Sequence, residues 1–179
     1  LAPSSHIFSF STPRPSGGIF IKRQINDLFA LRGDASYLFL KADDANGAAA
    51  WRANRNLDFA SHVFEGSITM EFIPFEIRLG RNNNIHPYLG IGLGVFHFDP
   101  YTIYNGSEIK LNPLNTEGQG LNGYGDPYAL TQVNIPMRLG IQLSLSSGLN
   151  IGLEVSYRDL FTDYLDDVSG YYVPNTLLA

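Results

Sequence analysis

Four histidines, His6, His62, His86 and His97, are the first residues to weigh for chemistry, and none stands at a metal-ligand spacing from another. No H-x-x-x-H pair occurs, so no two imidazoles would share a helical face. His97 lies between Phe96 and Phe98, where a base acting on lipid could sit, but no serine is tied to it by sequence as a nucleophile would be. Asp163, Asp166 and Asp167 offer the oxygen ligands that calcium prefers, without the spacing of an EF-hand loop. A solvated or loop-bracing acidic turn is the plainer reading. Gly90, Gly92 and Gly94 lack the G-x-G-x-x-G pattern that opens a dinucleotide site. With no cysteine, thiolate metal sites, cysteine nucleophiles and disulfides are excluded. These residues lead us to expect no metal, no cofactor and no catalytic set.

A different set of polar residues is picked out by parity. Arg32, Asp34, Glu65, Glu71, Arg138, Glu154 and Arg158 each stand opposite an apolar face in an alternating segment. Four acids against three bases are nearly balanced, and charges in a narrow low-dielectric space are costly unless paired. An ion-pair network that fills and braces an interior is the expectation; a proton or solute path is the rival.

The elements that must hold this set are strands. The clearest is 131–145, TQVNIPMRLGIQLSL, with Val133, Ile135, Met137, Leu139, Ile141, Leu143 and Leu145 on one face. Gln132, Asn134, Pro136, Arg138, Gly140, Gln142 and Ser144 take the other. An ordinary strand runs only about 5 or 6 residues. Alternation this long matches an apolar layer that takes about 9–11 tilted residues to cross. Similar patterns cover 18–22, 29–40, 64–72, 87–98 and 151–158. Between them the connections alternate short and long, with the long ones at 41–58, 99–127 and from 160 onward. Residues 1–15 read as loop, 48–52 as a turn of helix, and 81–85 as a polar turn. Aromatics near the strand ends, Tyr37, Phe39, Phe96, Phe98, Tyr101 and Tyr157 on the loop side and Phe29, Phe72 and Phe75 on the turn side, predict girdles at two interfaces.

The expected fold is therefore all-β: one domain over 1–179, an antiparallel up-and-down transmembrane β-barrel. Six strands are visible; a bacterial barrel has an even number and eight is the smallest usual size, and an external loop at 1–15 needs a strand before it, so eight are expected, the first and last lying outside this chain. Composition agrees. Of the 179 residues 16% are charged and 13% aromatic, and the net charge of −5 argues against a nucleic-acid partner. No run of about 18 apolar residues offers a transmembrane helix.

Segments 87–100 (PYLGIGLGVFHFDP), 104–120 (YNGSEIKLNPLNTEGQG), 128–136 (YALTQVNIP) and 152–171 (GLEVSYRDLFTDYLDDVSGY) resemble the PorG-like outer-membrane barrel family of Bacteroidota. The pieces 114–120 and 162–170 carry the most specific part of the likeness. The resemblance implies an eight-stranded barrel in the outer membrane of a Gram-negative bacterium. It also implies a role with the type IX secretion system, in which PorG is associated with the periplasmic ring proteins PorK and PorN.

We therefore expect a non-enzymatic anchor or interaction component of a type IX secretion or gliding assembly. Its partners would be outer-membrane lipids and other secretion-system proteins. The expected partner-contact loop is Asp163, Tyr164, Leu165, Asp166, Asp167, Val168, Ser169 and Gly170, compact and mixed in chemistry. Two rivals are an outer-membrane lipid-modifying enzyme built on His97 and a soluble lipocalin-like binding barrel with the two faces exchanged.

Overall fold

Wherever the sequence alternates, the chain is extended, and the strands run beyond the alternating cores. A computed structural model describes residues 16–43, 58–80, 83–121, 124, 126–145 and 148–166. The strands are β1 (Ser16–Gln24), β2 (Phe29–Asp43), β3 (Asp58–Phe72), β4 (Ile77–Leu79), β5 (Asn83–Tyr104), β6 (Ser107–Lys110), β7 (Thr131–Ser144) and β8 (Asn150–Leu160). All belong to one antiparallel sheet of order β1-β2-β3-β5-β7-β8, with β4 and β6 pairing only with the ends of β5. Each long strand lies beside its neighbours in sequence, an up-and-down arrangement. Among the described residues there is no α-helix, and no helix is long and apolar enough to cross a membrane.

The sheet is curled but not closed. Lys22 on β1 donates to Gln142 Oε1 on β7 at 2.7 Å, and Arg32 on β2 donates to Glu154 Oε2 on β8 at 2.7 Å. In a flat sheet β2 and β8 would stand four strand spacings apart, about 19 Å. Only a sheet rolled around these side chains lets them touch. β1 and β8 do not pair with each other among the described residues.

The two faces are sharply unlike. Leu93, Leu153 and Val155 point outward and are 72%, 71% and 70% exposed, as are their neighbours Ile68 and Leu139 in large part. Inward, Glu71 and Thr69 are fully buried, with Asn134 and Arg138 close to it. A soluble globule puts these classes the other way round. The exchanged faces that a lipocalin-like barrel requires are not what the chain adopts.

Several sequence boundaries shift. The loop expected at 99–127 begins only after β5 has run on to Tyr104. There Asn105 and Gly106, with φ of 51° and 79°, turn it into β6. Four residues of strand are too few to show a period, which is why the hairpin is invisible in the sequence. The expected polar turn at 81–85 is narrower, because Asn83–Ile85 pair with β4. The helical turn expected at 48–52 and the loop expected at 1–15 lie outside the described residues.

Inward glycines set how closely the wall packs. A Cβ on Gly94 would meet the Asn134 amide, and one on Gly140 the Tyr88 ring, so both leave room for large neighbours. At Gly92 a Cβ would fall on the backbone carbonyl of Ile68, where nothing flexible can give way. Gly92→Ala is expected to cost about 1–3 kcal/mol, read as a lower urea midpoint of unfolding. Gly17→Ala, with nothing within 4 Å of the added carbon, should leave the midpoint near its starting value.

Candidate functional site: the charged interior and its aromatic cap

Curling brings all seven parity-selected charges into one interior, and an eighth with them. Lys22, Arg32, Arg138 and Arg158 face Asp34, Glu65, Glu71 and Glu154, four cations and four anions. Glu71 accepts from Lys22 Nζ at 3.0 Å and from Arg32 Nη1 at 3.3 Å. Asp34 lies 2.8 Å from Arg32 Nη2 and 3.2 Å from Arg138 Nη2. Glu154 is the hub: it accepts from Arg32 at 2.7 Å, Arg138 at 2.8 Å and the Tyr88 hydroxyl at 2.8 Å. Glu65 takes Arg158 Nε at 2.8 Å, Asn134 at 2.7 Å and Ser36 at 3.1 Å.

This arrangement satisfies charge with charge. Every cation is held by at least one carboxylate, and Arg32 and Arg138 each bridge more than one. Removing a single member of such a buried set strands the others. Beside β1 a hollow of about 300 Å³ borders Gly17, Gly18, Arg32, Asp34, Arg138 and Arg158. Arg138 Nε and Asn134 Oδ1 are buried without a hydrogen-bond partner in the protein. A polar hollow of that size has room for ordered water.

Lys22, Tyr88, Asn134 and Ser36 join the seven parity-selected charges in this network. Lys22 stands opposite Ile19 and Ile21 on β1, so its parity already placed it inside. Tyr88 and Asn134 share the inward parity but are uncharged, so charge balance does not point to them until Glu154 and Glu65 are seen beside them.

At the loop end the interior changes character. Phe96 and Phe98 are 2% and 0% exposed, and their rings continue through Tyr128 to Tyr164 with centroids 5.6, 6.0 and 4.6 Å apart. Val63 belongs to the same cluster, and Leu38, Leu40, Leu160 and Leu165 pack against it. This corrects the expected girdle, since Phe96 and Phe98 share the parity of Tyr88 and turn inward. Tyr37, Phe39 and Tyr101 do face outward, grouped with Phe64 and His62, and Tyr157 is outward and exposed on β8. On the turn side Phe29 and Phe72 pair at 5.4 Å and Phe75 is exposed.

The expected partner loop is placed only in part. Tyr164 N–H donates to Thr162 Oγ1 at 3.2 Å, and a 3-10 turn spans Tyr164–Asp166. Tyr164 and Leu165 fold onto the aromatic cap instead of projecting from it, because the stack leaves an apolar surface they can bury. Asp163 is exposed. Asp167, Val168, Ser169 and Gly170 lie outside the described residues.

His97 faces outward, 3.0 Å from Thr131 Oγ1, while His62 is 2.7 Å from the Tyr37 hydroxyl and 3.5 Å from that of Tyr101. Among the described residues no cluster of three or more His, Asp or Glu is set to hold a metal ion.

A family model described as a domain of unknown function, DUF6089, matches residues 9–172. No curated protein and no solved structure matches the chain.

Proposed function

The chain belongs to the DUF6089 family, and from its outward aliphatic wall and filled interior we propose a non-enzymatic outer-membrane barrel that anchors a protein assembly in a Gram-negative bacterium. The observation that carries this is the inversion of faces. Aliphatic side chains are displayed to the surroundings along the sheet, while eight charged side chains pair with one another on its inner face. Hydrocarbon is the solvent in which that inversion lowers free energy, because exposed Leu, Ile and Val leave water and the charges remain paired. A barrel of this size has a bore just wide enough for side chains to fill. With ion pairs across its middle and stacked rings over one end, a wall-and-anchor role is favoured over conduction.

We extend the proposal, on the resemblance to the PorG-like family of Bacteroidota, to a component of the type IX secretion or gliding machinery. Its partners there would be outer-membrane lipids and periplasmic ring proteins of the kind PorK and PorN represent. Crosslinking in intact cells followed by identification of the attached proteins tests this. Recovery of secretion-system proteins is the expected result; recovery of none of them, from protein shown to be in the outer membrane, would sink the assembly role. Folding of the full-length protein into phosphatidylcholine vesicles tests the membrane part separately. A protein that stays in buffer without binding detergent or vesicles contradicts it.

A further inference from the structure

Lys22, Lys41 and Lys110 are the chain's three lysines, and two of them stand in one lateral row on the outward face. The register runs Lys41 on β2, Ala60 on β3, Tyr101 on β5, Lys110 on β6. This row lies at the loop end of the wall, next to the outward aromatics. Three strand spacings, about 14 Å, separate the two lysines. Ala60, small between Lys41 and Tyr101, leaves a hollow of about 100 Å³ floored by its own methyl and walled by Phe39, Lys41, Tyr101 and Ile103.

The two cations are not equivalent. Lys110 is committed to two carboxylates: its ammonium lies 2.7 Å from Asp99 and 2.9 Å from Glu108. Those hydrogen bonds, Asp99's first, raise its pKa above the ordinary lysine value. It also lies 5.2 Å from the centre of the Tyr101 ring. Lys41 is exposed and meets no carboxylate among the described residues. One committed lysine thus holds the aromatic wall of the hollow, and one uncommitted lysine overhangs it.

We propose that this hollow seats the phosphate of a lipid headgroup, with Lys41 supplying the charge, the Tyr101 hydroxyl a donor, and Phe39, Ala60 and Ile103 receiving the start of the apolar part. The inference rests on the membrane reading above and adds to it a binding site at a fixed place on the wall. The combination of a cation, a phenol and aliphatic side chains around one small space suits a molecule that is charged at one end and apolar at the other. A free phosphate would have no use for the apolar walls.

The test uses full-length protein in vesicles of phosphatidylcholine with one fifth phosphatidylglycerol, followed by native mass spectrometry of the lipids that stay bound. Lys41→Ala should lower retention of phosphatidylglycerol about fivefold, the effect of one basic residue near an anionic surface. Tyr101→Phe should lower it less. Equal retention in the Lys41→Ala and parent proteins, both inserted, overturns the site and leaves the membrane reading standing. Failure of the parent to insert overturns both. Displacement of the lipid by millimolar inorganic phosphate alone shows a simple anion site and overturns the lipid assignment.

Discussion

Glu65→Ala is expected to destabilise the folded protein by about 3–5 kcal/mol, the usual cost of breaking a buried ion pair from one side. The carboxylate is 2% exposed, and its loss would leave Arg158 without a carboxylate and Asn134 and Ser36 without the oxygens they now donate to. Arg158 is 27% exposed and can recover some hydration, which favours the lower part of that range. Replacing both partners, Glu65→Leu with Arg158→Met, should recover much of the loss, since two apolar groups of similar volume strand no charge. Urea midpoints of the full-length protein in vesicles measure each step. A network that only braces predicts recovery in the double variant. If the single change leaves the midpoint unmoved, the pair contributes nothing to holding the interior together.

Leu93→Arg carries the second large effect, and it probes the other face. Leu93 sits on the outward side of β5, paired in register with Ile68 and 72% exposed. In contact with hydrocarbon at mid-height, an arginine there should cost about 2–4 kcal/mol. Were the same wall in water, an exposed substitution of this kind would change stability by about 0.5 kcal/mol at most. Leu149→Arg supplies the depth comparison. Leu149 is 55% exposed in the short connection between β7 and β8, where the penalty should fall to about 0–1 kcal/mol. A large cost at 93 with a small one at 149 is the signature of a bilayer; equal small costs at both remove the membrane from the account.

Much of this architecture could be read from period alone, because a strand with unlike faces writes its pairing into every second residue. Arg32, Asp34, Glu65, Glu71, Arg138, Glu154 and Arg158 all fall on the side their parity assigns, and the structure brings them within bonding distance. Period is a better guide than position along the strand. Nearness to a strand end suggests a girdle for Phe96 and Phe98, yet they continue the inward series of Tyr88, Gly90, Gly92 and Gly94. Lys22 follows its parity in the same way. Other features leave no periodic trace. The β5–β6 hairpin is too short, and the stack from Phe98 through Tyr128 to Tyr164 joins residues on separate segments that no period links.

The contact between Arg32 and Glu154 spans 122 residues, and that between Arg158 and Glu65 spans 93. Interactions so distant in the chain are made late, after most loops have already been closed. Until β8 arrives, Arg32 has Asp34 and Glu71 but lacks Glu154, and Glu65 lacks Arg158, while the aliphatic flank of each earlier strand is already committed to a side. A slip of one residue in any strand would turn its inward charges to the aliphatic face and its leucines to the charged interior. The ion pairs therefore reward only the register in which each arginine meets its carboxylate.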